Sequence, residues 1–167
     1  MTYKKFLIIA SALDSAGMNI VSQLAQFGEF NVDIREKEIV YAENLNLGKM
    51  QDYDFIIFAS KHKSTKGEKA LTIHSVGNPK EADFGDEAGK LGRTSALFLK
   101  QAFEKLNENA KKFDLRNYKI TMEATHHGPL IEKPCLFIEL GSSEMDYKDK
   151  KAGFVLARTI ADVVNEF

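Results

Sequence analysis

Tryptophan is absent from the 167 residues, cysteine occurs once, and there are three prolines. A single thiol, Cys135, can neither close an intramolecular disulfide nor build a cysteine-rich zinc module, so an apolar core must hold the fold and a reducing, cytoplasmic setting is the expectation. No apolar run approaches the roughly 20 residues that a membrane-spanning helix requires. The opening MTYKKFLIIASALD superficially has the lysines and short apolar run of a signal peptide. Asp14 and the amphipathic stretch after it read instead as a strand-to-helix connection. Neither sign of charge is in excess: 23 Lys and Arg against 24 Asp and Glu leave −1. That gives no global argument for nucleic acid and leaves a local basic patch open. Several signatures are also missing. GDEAGKLGRTS lacks the spacing of a P-loop, no GxGxxG follows a strand, and there is no GxSxG elbow or HExxH pair.

Apolar runs of strand length are plentiful, at 6–12, 55–60, 70–76, 118–125 and 135–140. Several are continuous rather than alternating, as in strands covered on both faces. Helical spacing appears over 16–27, 94–113 and 146–167, and 30–43 has room for two short strands. Strands alternating with helices predict one α/β domain over 1–167: a three-layer α/β/α fold around a mixed, largely parallel sheet, with ligands at the carboxyl ends of strands. The segments 61–69, basic, and 78–95, Gly-rich, read as loops.

All four histidines stand at predicted strand ends: His62 after FIIFASK, His74 late in ALTIHSV, and His126 with His127 after YKITMEAT. One such histidine is usually structural; four at one sheet edge would converge on a crevice. Extended geometry sends His126 and His127 to opposite faces, and Gly128 with Pro129 supplies a turn that can redirect one ring. Glu139 lies inside an apolar run, so it needs a cation, a donor or a metal as partner. Ser142 or Ser143 fits as a helix N-cap ahead of Glu144 and Asp146, a structural explanation as good as a functional one. Imidazoles with carboxylates suit a zinc hydrolase, and they equally suit metal-free general-base chemistry with Thr125 or backbone amides on the oxyanion. Cys135, after Pro134 in an apolar strand, reads as a packed, inert thiol.

Taken in order, SALDSAGMNI, FASKHKS, ALTIHSVGN, MEATHHGP, FIELGSSE and KKAGFVLA resemble the archaeal and plant type of D-aminoacyl-tRNA deacylase. The resemblance runs from about Ala10 to about Ile160, with THHGP and GSSE its most specific pieces. It implies a fold similar to those of peptidyl-tRNA hydrolases and nucleoside phosphorylases, bound zinc, and hydrolysis of the ester joining a D-amino acid to the 3′ end of tRNA. Carried over residue by residue, it marks His62, Ser64, His74, Gly77, Asn78, Glu123, Thr125, His126, His127, Gly128, Pro129, Glu139 and Gly141 to Glu144. Within that set His74, His126 and Glu139 are expected to hold zinc, and His127, Thr125 and Glu144 to act in catalysis. His62, Ser64, Asn78, Gly128, Ser142 and Ser143 are expected to bind the substrate. Lys61, Lys63, Lys66 and Lys69, with Lys111, Lys112 and Arg116 behind them, are candidates for tRNA phosphates.

The family pattern continues into a Gly-Gly-x-His-Tyr segment outside these residues, and 79–95 is short by comparison. The expectation is a compact variant, a split protein with a separate C-terminal partner chain, or a relative of altered activity. Two other readings stand beside the deacylase: a hydrolase of the same fold for a small ester, amide or nucleoside, and a non-catalytic RNA-binding or assembly module completed by another chain.

Overall fold

The continuous apolar runs pair side by side in a computed structural model of the chain, which describes residues 3–41, 48–82 and 87–167. In chain order, β1 (Phe6–Ser11) leads into α1 (Ser15–Leu24), followed by β2 (Val32–Arg35) and 3-10 turns at Ile39–Tyr41 and Gly48–Asp52. Then come β3 (Phe55–His62), β4 (Ala70–His74), the two-residue strands β5 (Gly77–Asn78) and β6 (Lys90–Leu91), and α2 (Ala96–Lys112). The chain closes with β7 (Lys119–Met122), β8 (Cys135–Gly141), α3 (Glu144–Tyr147) and α4 (Lys150–Glu166). One six-stranded sheet has the order β2-β1-β3-β8-β4-β7. Its first four strands are mutually parallel, whereas β4 runs antiparallel to β8 and parallel to β7. The α/β fold with a mixed, largely parallel sheet is therefore as expected.

The layers differ from expectation in one respect. The long helices α1, α2 and α4 share one core with the same sheet face, through Phe6, Ile8, Phe55, Ile57, Leu136 and Ile138. The opposite face carries Leu7, Ile9, Ile56, Phe58, Cys135 and Phe137, covered by Ile39, Met50, Val76 and Ile131 from connecting segments. Among the described residues the third layer is thus built of 3-10 turns and extended chain rather than long helices, and such a cover leaves room for a cleft. Cys135 is buried in this second core, where burial pushes its thiol up to about 12, as its apolar strand context predicts.

Local chemistry sets the remaining boundaries. The stretch 30–43 gives one strand and a 3-10 turn instead of two strands, with Ala42 and Glu43 outside the described residues; so are residues 83–86 of the 78–95 loop. The strand expected to reach Thr125 ends at Met122, and the chain from Glu123 leaves the sheet. The helix expected over 146–167 is split, because Asp149 restarts it by accepting from the Lys151 and Ala152 amides.

Asp14 ties β1, α1 and β3 together. One carboxylate oxygen accepts from the Ala16 and Gly17 amides, and the other from Ser60 Oγ and the Lys61 amide at 3.1 and 2.8 Å. Gly17 is needed there, since a Cβ would lie 2.5 Å from the Ala59 carbonyl oxygen. Loss of this cap in Asp14→Ala is expected to lower stability by about 1–2 kcal/mol, the upper half of the usual range for N-caps. Urea denaturation measures it, and no loss would contradict the anchoring role.

Candidate active site

Strand register builds the site around Glu139. In β8 it lies opposite Ser60 of β3 and Thr72 of β4, so the three side chains share the face that the long helices leave free. Thr72 Oγ1 donates to Glu139 Oε2 at 3.2 Å. Two residues on in β3, His62 pairs with Gly141, and two residues on in β4, His74 pairs with Phe137. Because β4 runs against β8, His62 and His74 flank Glu139 from opposite directions. The four histidines therefore do not share the carboxyl edge of a parallel sheet, as their positions in the sequence suggest; they meet on one face of it.

His126 and His127 reach the same face from the segment after β7. Val76 bridges His126, and the Gly77 amide donates to the His127 carbonyl at 2.9 Å. His127 itself has φ 42°, in the left-handed region that histidine tolerates better than most side chains. The turn thus falls on His127, whereas the sequence pointed to Gly128. Two rings that extended chain would set apart are brought together: His126 and His127 lie 4.5 Å apart between centroids, and 4.1 and 4.8 Å from His74.

Backbone carbonyls orient these rings. His74 Nδ1 is 2.9 Å from the Ser75 carbonyl, His126 Nδ1 2.8 Å from that of Ala124, and His127 Nδ1 2.7 Å from that of Gly128. A carbonyl can only accept, so each Nδ1 carries its proton and the ligating lone pair belongs to Nε2. His74 Nε2 is buried without a hydrogen-bond partner among the described residues. One donor atom from each of His74, His126 and His127 lies within 4.8 Å of the others, and the same holds for His62, Glu123 and Glu139. Three imidazoles held in this way fit zinc, which takes three protein ligands at catalytic sites and leaves one position open. Of the expected ligands, His74 and His126 are grouped with His127, while Glu139 belongs to the second group and bridges the two. Its Oε1 is 3.7 Å from His74 Nε2 and 3.9 Å from His127 Nε2.

Burial alone would raise the Glu139 pKa, but the imidazoles of His62 and His74, whose ring nitrogens face it at 3.6 and 3.7 Å, outweigh it and hold the carboxyl well below its ordinary range. Glu123 and then Glu139, at 3.3 and 3.6 Å from His62 Nδ1, lift His62 to about 9. Burial, seconded by the charge on His74, pushes His127 down to about 4. For His74 burial works against the proton, yet Glu139 wins and raises the pKa; a metal ion would take that proton's place.

These shifts fix the sign of the pH dependence. The folded chain binds the extra His62 proton between pH 6.5 and about 9, so that stabilisation is complete below 6.5 and lost as pH rises through 9. For His127 the unfolded chain binds the extra proton between 6.5 and about 4, so stability falls as pH drops through that window. Chelator-treated protein is therefore expected to be most stable near pH 6.5. In urea denaturation across pH, His62→Gln should flatten the alkaline limb and His127→Gln the acid limb. Limbs that stay unchanged would refute these assignments.

Residues 49–167 match the family model described as D-aminoacyl-tRNA deacylase. The chain belongs to the D-aminoacyl-tRNA deacylase family. It is 34% identical over 177 residues to the D-aminoacyl-tRNA deacylase of Archaeoglobus fulgidus, an alignment covering 95% of this chain and 63% of that protein. To that of Picrophilus torridus it is 32% identical, over 93% of this chain and 64% of the relative. The chain thus spans slightly less than two thirds of the length of these relatives. The crystal structure of AF0625, described as a conserved protein of unknown function, superposes with a TM-score of 0.89 at 31% identity, covering 98% of this chain and 64% of that one. The apo N-acetylmuramyl-L-alanine amidase Ami1 of Mycobacterium abscessus, with a TM-score of 0.51 and 11% identity, shares the fold alone.

The residues singled out from sequence divide between the site and its surroundings. A cleft of about 470 Å³ has His62, His126, His127 and Glu139 in its lining, together with Ser64, Lys61 and Lys63. Gly128 contributes the carbonyl that orients His127. Other marked residues are engaged outside the cleft. Thr125 Oγ1 is 2.6 Å from Ser75 Oγ, Asn78 is buried in the β5–β6 ribbon, and Lys69 pairs with Asp146 at 3.2 Å. Ser142 Oγ donates to the Glu68 carbonyl, and Ser143 forms a capping box with Asp146. Glu144 is exposed in the first turn of α3, and Lys66 is exposed in its turn. Sequence reasoning missed Asp14, Glu38 and Tyr41 as cleft residues. Asp14 had a legible signal, an Asp before a helical pattern; Tyr41 lies on the 3-10 turn Ile39–Tyr41 and Glu38 just before it, a short element that leaves no periodic trace.

Proposed function

We propose that this chain carries the hydrolytic site of a D-aminoacyl-tRNA deacylase, which releases free tRNA and a D-amino acid, with zinc held by His74, His126 and His127. The observation that carries the reading is the convergence of three imidazoles, each with Nδ1 tied to a backbone carbonyl, beside the buried anion of Glu139. Family membership supports the substrate class. When bound, zinc would acidify water and polarise an ester carbonyl. The chain's own residues supply the rest. Glu139 balances positive charge at the floor. His62, protonated at neutral pH because its pKa is about 9, turns Nδ1 to Glu123 and Glu139. Its other ring nitrogen is left to donate a proton to the ribose oxygen as the ester C–O bond breaks.

In this reading tRNA is the macromolecular partner, Lys63 and Lys66 are the candidate phosphate contacts, and the substrate implies a cytoplasmic reaction. Among the described residues no helix is long and apolar enough to cross a membrane. The test is deacylation of D-Tyr-tRNA before and after chelation. Activity abolished by the chelator and restored by zinc is the expected result; chelator-resistant hydrolysis would overturn the role given to the metal.

A further inference from the structure

The wall of the cleft formed by the 3-10 turn Ile39–Tyr41 has no part in the chemistry above, yet it is firmly built. Ile39 is buried in the second core. Glu38, just before the turn, accepts the Tyr41 amide on its carbonyl at 3.2 Å and pairs its carboxylate with Lys61 Nζ at 2.7 Å. The turn is therefore anchored both to the core and to the end of β3. From this fixed support Tyr41 lines the cleft with 51% of its surface exposed, and it stacks on no other aromatic ring among the described residues. A large aromatic side chain held open on an anchored wall is a platform for a flat ligand.

Resting on the deacylase reading, we propose that Tyr41 is the stacking platform for the terminal adenine of the substrate and Lys63 the contact for the phosphate of that nucleotide. The reacting ester must sit over His62 and His127. The nucleoside and the amino acid then leave it in different directions, and the cleft is asymmetric in the way this requires. Lys61 is neutralised by Glu38, whereas Lys63, one residue beyond His62, lines the same cleft and forms no ion pair among the described residues. Apolar faces of a base suit Tyr41, the anion suits Lys63, and both residues line the cleft that His62, His127 and Glu139 also line. Stacking is indifferent to the amino acid attached, so this subsite holds the common end of every tRNA.

Adenosine 5′-monophosphate and adenosine, titrated calorimetrically into the intact chain, are the probes. Tyr41→Ala is expected to weaken both roughly tenfold, Tyr41→Phe to bind as wild type, and Lys63→Ala to weaken the nucleotide only. In D-Tyr-tRNA hydrolysis the Tyr41→Ala defect should appear as a raised KM. Thermal melts confirm folding of each variant. Wild-type affinity in Tyr41→Ala, or no nucleotide binding to the wild type, overturns the subsite whether or not the chain deacylates. Nucleotide binding that depends on Tyr41 in a chain inert towards D-Tyr-tRNA would sustain the subsite and defeat the deacylase reading instead.

Discussion

If zinc sits on His74, His126 and His127 as proposed, His74→Ala is expected to leave the protein without the metal and without hydrolysis of D-aminoacyl-tRNA. His74 is fully buried, stacks parallel to Phe137 at 5.2 Å, and ends in the unpartnered Nε2 beside His126 and His127. Loss of a group that merely supports a ligand costs roughly 10–100-fold in metal affinity or activity. Loss of one of three donors should exceed that, leaving the variant metal-free after dialysis and its rate at background. Metal content by mass spectrometry and release of D-tyrosine from D-Tyr-tRNA measure the two effects. A variant that keeps stoichiometric zinc would remove His74 from the ligand set. A thermal melt of the chelated wild type beside the chelated variant separates loss of metal from loss of fold.

Glu139→Ala carries the largest expected cost in stability. The carboxylate accepts from Thr72 and faces His62, His74 and His127, so its removal takes from the buried His74 its nearest counter-ion and leaves His62 with Glu123 alone. Breaking a buried pair in this way costs about 3–5 kcal/mol. Glu139→Gln keeps the volume and a hydrogen-bond acceptor for Thr72 while removing the charge. It should cost less and should also shrink the alkaline limb assigned to His62, whose raised pKa depends in part on that charge. Urea denaturation of chelated protein reads both variants. Stability unchanged in Glu139→Ala would mean that Glu139 does not organise the cluster.

Much of this arrangement was legible in the sequence, and the failures have physical causes. The strands β1, β3, β4 and β8 stand out because they are mostly apolar and buried on both faces. For the same reason nothing in them encodes direction: ALTIH reads alike whether β4 runs with β8 or against it, and that choice decides where His74 goes. The need of Glu139 for a partner follows from one carboxylate in an apolar run, and Thr72, His62 and His74 meet it. That His126 and His127 would need a turn to share a face is visible in strand alternation. Which residue bends is decided by the pairing of Gly77 with the His127 carbonyl, a contact between segments about 50 residues apart that no local pattern announces. The pairing of SSE with a helix start reflects capping, although the box closes on Asp146 rather than on Glu144. The placement of all long helices on one face depends on connections whose handedness the apolar periodicity does not record.

The central claim is that a cluster of histidines around Glu139 hydrolyses D-aminoacyl-tRNA. It is tested most directly by the time course of amino-acid release when the purified, zinc-loaded chain is incubated with D-Tyr-tRNA and, separately, with L-Tyr-tRNA. The account predicts rapid release of D-tyrosine and near-buffer release of L-tyrosine. Release of both at the rate of buffer alone would contradict it.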